Sequence, residues 1–280
     1  SGCGSDLVIS NKSGFCHAVQ TGGIPHLCYC LAPTRYVWQF DTYAARENLS
    51  GVVRALLRPV IAMLRRWDYR MAQRAHLHFV AISTEIQERI QDFYGRESEI
   101  ITPPVDIARF RPATEPQAYY LIVSRLIPYK RIDLAVRAFT EMGLPLVVAG
   151  DGRDRETLEA LAGPTVQFPG YVPDAQLPDL MAHCRAFVFP GREDFGLTPV
   201  EAQASGRPVI AYGAGGALDT VVEGVTGTFF TEPTVEALIA AVERSRTTTY
   251  DPAACRRNAE RFGPERFRRE LLAVAQRLVS

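Results

Sequence analysis

Four charged side chains carry the strongest chemical signal in this chain of 280 residues. Glu193 and Glu201 lie within FVFPGREDFGLTPVEAQAS (187–205), and Arg125 and Lys130 lie within SRLIPYKR (124–131). Phe187 to Phe189 reads as a short buried strand stopped by Pro190 and Gly191. Thr198 and Pro199 then read as a helix start, with Thr as the cap and Pro at the first helical position. A helix beginning there aims its free N–H groups past the strand end, which favours an anion such as phosphate. One acid before that point and one inside the helix can grip hydroxyls on either side of it. A donor made of sugar, diphosphate and ribose has this layout. An isolated pair of acids at this spacing is usually just a strand–loop–helix unit with surface carboxylates, so the weight falls on its companions. Arg125 and Lys130 flank a turn before a predicted helix, where cations are disfavoured unless they meet an anion. A guanidinium can bind two oxygens of a diphosphate while an ammonium acts as a point charge. The turns Gly150-Asp151-Gly152 and Gly213-Ala214-Gly215-Gly216 permit a close backbone approach to a ligand, and each is a weak signal alone.

These groups need a scaffold, and the second half of the chain supplies a regular one. Apolar strands are predicted at 118–124, 144–149, 166–168, 186–189, 208–212 and 227–230, separated by helical stretches. Such alternation means a parallel, doubly wound α/β sheet with ligands at the carboxyl ends of its strands. The first half reads as strands at 6–10, 24–31, 78–82 and 99–102. A loop is expected at 32–36, then a long helical stretch from about Tyr43 to Arg74 that Pro59 kinks or divides. A further helix opens at Ser83 or Thr84 and closes at Gly95. The Pro-rich, polar stretch ITPPVDIARFRPATEPQ marks a linker. The expected division is a partial N-terminal domain (1–104), a linker (105–117), a nucleotide-binding domain (118–262) and a closing helix (263–280).

Composition excludes several classes. The formal net charge is zero, so no global field argues for a nucleic-acid partner. No stretch reads as a secretory leader or as an apolar run able to cross a bilayer. The six cysteines lack a framework spacing; Cys28 and Cys30 would share one face of a strand as buried free thiols, which favours a reducing cytosol. The stretch 46–74 is basic, with Arg46, Arg54, Arg58, Arg65, Arg66, Arg70 and Arg74 against Glu47 and Asp68. It reads either as a solvated face whose arginine stems cover apolar surface, the preferred reading, or as a peripheral contact with anionic lipid.

Taken together, SRLIPYKR, VVAGDG, FPGYVPDAQL, EDFGLTPVEAQASGRPVIA and GGALDTVVEGVTGTFF resemble glycosyltransferase family 4, the retaining nucleotide-sugar enzymes. HAVQT, CYCLAPTRYVW and the segment leading to PPVD extend the resemblance into the first half. It implies a GT-B fold of two facing Rossmann-like domains, and the wording is nearest to bacterial GDP-mannose-using mannosyltransferases that extend glycan or lipid-linked acceptors. By resemblance, Arg125 and Lys130 neutralise the donor diphosphate, Glu193 holds hydroxyls of the donor sugar, and Glu201 accepts ribose hydroxyls. Gly152 borders the donor, Val172 lies near the nucleobase, and the backbone of Phe195, Gly196, Leu197 and Thr198 cradles sugar and phosphate. No cofactor or metal is expected, and the donor is GDP- or UDP-linked.

The chain departs from the family pattern twice. About half of the usual N-terminal domain is missing, which implies a fragment, a second chain or a reduced domain, and its open sheet edges favour a homo-oligomer. Leu31-Ala32 stands where relatives carry His-Thr, and leucine offers neither proton nor hydrogen bond. The resulting expectation is a hexosyltransferase, cytoplasmic or peripheral on the inner face of the membrane. Its rival is a sugar-nucleotide-binding module that does not transfer.

Overall fold

The computed structural model describes residues 6–46, 49–113 and 115–280. Of the residues read from sequence, Cys3, Glu47, Thr114 and the side chain of Arg46 lie outside the described set. The chain separates into two compact units, Ser1–Pro103 with Phe267–Ser280, and Pro104–Arg266.

The first unit is built on a parallel sheet, β1 (Val8–Lys12), β2 (His26–Cys30), β3 (Leu77–Ala81) and β4 (Ser98–Ile100), in that spatial order. All four expected strands are present, displaced by one or two residues. Every residue of β2 is buried, as a strand with a neighbour on each side should be, and Cys28 and Cys30 are free thiols within it. The expected loop at 32–36 instead runs into a short helix, α1 (Arg35–Trp38).

The long basic stretch is broken, but not at Pro59. It forms α2 (Phe40–Arg46) and α3 (Gly51–Ala72), with Ser50 capping α3 by accepting the Val53 N–H at 3.4 Å. Pro59 stays inside α3 because that turn is exposed: the Ala55 carbonyl, deprived of its donor, faces solvent. Helix α4 (Thr84–Tyr94) begins at Ser83, whose hydroxyl accepts the Ile86 N–H, and ends at Gly95 with φ of 62°. A 3-10 turn at Cys16–Ala18 and most of α12 (Pro264–Val279) also belong to this unit, and the Phe267 ring of α12 meets Tyr29 edge-on at 5.5 Å.

Beside its apolar core, this unit buries a cluster of polar side chains. Asp68 accepts hydrogen bonds from the Trp38 indole at 2.6 Å and the Tyr94 hydroxyl at 2.8 Å, and lies 3.2 Å from His17 Nε2. Lys12, with no exposed surface, donates to the Gly14 carbonyl and to Thr34 Oγ1. His26 is hydrogen-bonded to Ser10, and burial pushes its pKa down to about 4, so it stays neutral. Both nearby histidines are thus engaged with Asp68 and Ser10, while Leu31 donates its N–H to the Lys12 carbonyl at 2.8 Å.

The second unit has a six-stranded parallel sheet: β5 (Tyr120–Val123), β6 (Leu146–Ala149), β7 (Val166–Gly170), β8 (Phe187–Phe189), β9 (Val209–Tyr212) and β10 (Gly227–Phe230). Intervening helices are α5 (Ile132–Met142), α6 (Arg155–Leu161), α7 (Leu177–His183), α8 (Leu197–Ala204) and α9 (Ala217–Thr220); α10 (Val235–Thr247) and α11 (Pro252–Glu260) follow. Alternate residues of the central strands serve opposite faces. Tyr120, Ile122, Val188 and Ile210 pack with α5 and α10, while Leu121, Phe187, Phe189 and Val209 are buried on the other side. The sheet is covered on both faces, which is the doubly wound α/β arrangement expected.

The strand order is β10-β9-β8-β5-β6-β7. The chain winds outward from β5 in one direction, returns to the middle, and winds outward from β8 in the other. The topological switch point therefore lies between β5 and β8, paired through Leu121 and Phe187.

Candidate functional site

The two charged motifs emerge from the two strands that flank the switch point. Arg125 and Lys130 follow β5; Glu193 and Glu201 follow β8. Parallel strands put both loops at the same sheet edge, where an open α/β sheet holds its ligand.

Their side chains meet directly. The Lys130 ammonium is ion-paired with Glu193 Oε2, both largely but not wholly buried, and sits 5.4 Å from the centre of the Tyr129 ring. A short 3-10 turn, Pro128–Lys130, sets up this placement, and Arg131 follows it with φ of 52°. An L-residue in that conformation is uncommon, and its strain is offset here by an Arg131–Asp133 ion pair at 3.2 Å and by the start of α5. Arg125 is exposed in the turn before it, its carbonyl accepting the Ile127 N–H at 3.0 Å.

Glycine is what lets the loops pack this tightly. A Cβ on Gly191 would stand 2.7 Å from the Lys130 carbonyl oxygen, so the β8 loop lies against the Lys130 backbone. The Gly213–Gly216 turn does not leave room for a ligand alone; it braces the glutamate loop. Gly216 donates its N–H to the Glu193 carbonyl at 2.8 Å, and a Cβ on Gly215 would stand 2.3 Å from the same oxygen. The Gly150–Gly152 turn is pressed onto the β5 loop in the same manner, and a Cβ on Gly152 would lie 2.2 Å from the Leu126 carbonyl oxygen.

Helix α8 starts two residues earlier than the sequence suggests. Its cap is Gly196, not Thr198. The chain leaves the glutamate loop with φ of 89° at Gly196, where a Cβ would also collide with the Phe189 ring; a β-branched threonine cannot serve there. Leu197 and Thr198 become the first helical residues, and no side chain caps this N-terminus. An uncapped helix N-terminus of this kind can receive an anion. Phe195 turns its ring inward against Phe262 at 5.7 Å, leaving only its backbone to line the site.

Glu201 is half-buried in the second turn of α8. Burial raises its pKa, the Arg109 guanidinium opposes that shift, and the Asp174 carboxylate adds to it. Arg109 and Asp174 were not apparent as site residues in the sequence, although both bear on Glu201 and Arg109 also donates to the Asp174 carbonyl. Asp174 lies two residues after Val172, which is partly exposed after β7, so the residue expected near a nucleobase lies close in sequence to one that bears on Glu201. The only advance sign was the acid two residues after Val172.

Residues distant from the ligand edge hold α8 in place. Gln203 donates to the carbonyls of Pro199 and Thr220, and Asn258 on α11 donates to Gln203 Oε1 at 2.6 Å and to the Thr220 carbonyl at 2.8 Å. These amides are buried and mutually satisfied, which makes the orientation of the helix specific.

Residues 106–262 match the family described as glycosyl transferases group 1. Over 257 residues the chain is 30% identical to the glycogen synthase of Mycobacterium tuberculosis, covering 84% of this chain and 60% of that protein. It is also 30% identical over 193 residues to the GDP-mannose-dependent alpha-(1-6)-phosphatidylinositol monomannoside mannosyltransferase of Mycolicibacterium smegmatis, covering 58% of this chain and 50% of that one. The chain therefore spans between half and two thirds of the length of these curated relatives. Sucrose-phosphate synthase from Thermosynechococcus elongatus has the same fold, with a TM-score of 0.72 at 20% identity over 98% of this chain and 74% of that structure. The expected α/β class, with two parallel sheets, is the observed one, and its structural neighbours are glycosyltransferases of the same fold. A family match over more than half of the chain, on the unit that carries the paired strand-end loops, makes this chain a member of the group 1 glycosyl transferases.

Proposed function

We propose that the chain is a retaining glycosyltransferase that moves a hexose, mannose from GDP-mannose, onto a glycan or lipid-linked acceptor. The observation that carries this reading is the Lys130–Glu193 pair at the switch point, beside an uncapped helix N-terminus. An acid and a cation held together in the free protein become separate grips when a donor enters, with Glu193 on sugar hydroxyls and Lys130 with Arg125 on the diphosphate. The C1–O bond to the diphosphate breaks, the acceptor hydroxyl oxygen bonds C1 on the same face, and its proton passes to the departing diphosphate oxygen. The two cations and the α8 N-terminus stabilise the charge left on the nucleotide, so the reading invokes no metal. Glu201 accepts the ribose hydroxyls, and the region of Val172 and Asp174 borders the base. The choice of GDP-mannose draws on the mannosyltransferase among the relatives, with UDP-linked donors as the competing class.

In this reading the first unit serves the acceptor, and the basic stretch 46–74 brings the protein to the inner face of the membrane. The open edge of β1, where Ile9 is exposed, supports pairing with a second copy. A second reading, a module that binds the donor without transfer, is favoured by one observation. Leu31 directly follows β2, and His17 and His26, close in sequence, are bonded to Asp68 and Ser10 respectively.

Titration calorimetry with GDP, GDP-mannose and UDP-glucose, on wild type and on an Arg125→Ala Lys130→Ala variant, tests the donor site. Tight GDP-mannose binding lost in the variant supports it; equal binding by both proteins refutes it. Transfer or donor hydrolysis by the unmodified chain eliminates the non-transferring reading.

A further inference from the structure

Helix α3 presents its apolar residues to solvent. Val53, Leu56, Leu57, Val60, Ile61 and Leu64 recur at helical spacing, yet only Leu57, Ile61 and Leu64 are partly covered. Val52 (71%), Leu56 (71%), Val60 (44%), Met63 (61%) and Trp67 (40%) are exposed instead. At the helical repeat these five side chains fall within an arc of about 80° and run for roughly 22 Å along the helix. Scattered exposed apolar residues need no explanation, but a continuous stripe of this kind marks a surface that meets something apolar.

The charges identify the occupant. Arg66 and Arg70 border the stripe and Arg58 lies further round the exposed arc. The sole acid of α3, Asp68, faces the interior, where burial raises its pKa but His17, Lys12, Trp38 and Tyr94 together hold it below the ordinary carboxylate range. The other two arginines of the helix point away and are used internally: Arg54 donates to the Leu49 carbonyl at 2.8 Å and Arg65 to the Val37 carbonyl at 2.7 Å. An exposed acid does lie nearby, Asp41 on α2, at 4.0 Å from Arg58. Around the stripe itself the exposed charge is positive.

We propose that this outward face of α3 lies in the interface of an anionic bilayer, with the stripe inserted among the headgroups and Arg66 and Arg70 on lipid phosphates. This deepens the membrane contact proposed above from charge attraction to insertion, and it is independent of the donor site. Helices that lie in an interface combine an apolar face with flanking cations, and no helix of the described residues is long and apolar enough to span. A protein partner would need an acidic, apolar groove; a bilayer supplies both properties over any length. Trp67 at the end of the stripe suits the headgroup level, where an indole can place its ring in the apolar layer and its N–H at the wet side.

The test uses the full chain with vesicles of equal parts phosphatidylglycerol and phosphatidylcholine, and with phosphatidylcholine alone. Wild type should sediment with the anionic vesicles, and its tryptophan emission should shift to the blue. The shift should vanish in Trp67→Phe, leaving Trp38 as a silent reference. Arg66→Gln Arg70→Gln should weaken partitioning by about 30-fold. Leu56→Ser Met63→Ser, which leaves the charge unchanged at exposed positions, should weaken it by roughly a hundredfold. Unaltered partitioning of the serine variant, or emission that does not move, overturns insertion. Equal binding to neutral vesicles overturns the anionic preference. Dimerisation through this face that vesicles fail to reverse assigns it to a second copy and likewise overturns the proposal. GDP-mannose calorimetry on the same variants reads the donor site separately, so a failure of either reading is seen without the other.

Discussion

Gly216→Ala isolates the role of the turn that braces the glutamate loop. Gly216 has φ of −65° and ψ of −11°, a conformation that alanine adopts readily, so the substitution acts through space and not through backbone freedom. The added Cβ would stand 2.2 Å from the Phe195 Cα and 2.3 Å from its carbonyl oxygen, and both are backbone atoms that no rotamer change can move. Ordinary contact begins near 3.4 Å, so the loop must retreat by roughly 1.2 Å. That displacement strains the Gly216 N–H bond to the Glu193 carbonyl and draws Glu193 from Lys130. Overpacking of this kind costs about 1–3 kcal/mol. For a unit of this size the melting temperature falls by roughly 2–12 °C. Loss of one charge-assisted contact to the donor should weaken GDP-mannose binding by about ten- to a hundredfold. Calorimetry and thermal melting measure both, with Gly14→Ala, where nothing lies within 4 Å, as the control. A Gly216→Ala protein with wild-type melting and wild-type affinity would refute the bracing role.

Three further outcomes follow from the charges. Because burial raises the Glu201 pKa, its protonated form is favoured in the fold; that stability is present at low pH and is lost as pH rises through the raised value. Glu201→Gln should therefore be more stable than wild type at neutral pH, and should abolish a decline in donor affinity that begins at a higher pH than an ordinary glutamate would cause. An unchanged pH profile in the variant counts against Glu201 as the ribose acceptor. Hydrogen bonding from the Cys28 thiol, aided by Ser10, Lys12 and His17, outweighs burial and lowers the Cys16 pKa to about 6, whereas the Cys28 thiol is pushed up. Alkylation of Cys16 by iodoacetamide, followed by peptide mass spectrometry, should reach half its maximal rate near pH 6; a midpoint near an ordinary thiol's, about 8.5, contradicts this environment. Asp68→Ala should cost about 3–5 kcal/mol in chemical denaturation, since it strands the buried partners His17, Trp38 and Tyr94. The lowered Asp68 pKa adds stability above the unfolded carboxylate's range, lost as pH falls through the folded value, so the variant should also show a flatter acid limb. A loss under about 1 kcal/mol would mean that the network is not structural.

The ten strands of the described residues were legible in the sequence, most of them because they are short apolar runs punctuated by glycine, proline or a cap, and these are local signals. So were Arg125, Lys130, Glu193 and Glu201, since cations at a helix start and acids beside one are anomalous without a ligand. Local signals also misled where two starts competed. Thr198 is the better cap by type, but Gly196 takes the position because only it tolerates the left-handed turn beside Phe189. Likewise Pro59 looked like a break, yet exposure of that turn lets α3 continue, and Ser50 begins the helix. Periodicity located the apolar residues of α3 without telling which side of the helix would be covered.

The sequence by itself determined most of the elements, the family and which charged residues are candidates for the site, because those depend on side-chain type within a few positions. Only the tertiary structure decided that the β5 and β8 loops meet, since strand order is a property of long-range pairing that no local pattern encodes. It was the tertiary structure, too, that made Lys130 and Glu193 partners, gave Gly191 and Gly216 their bracing roles, and brought Arg109 and Asp174 to Glu201. Each is a contact between segments separated in the chain, set by long-range packing that no local pattern encodes.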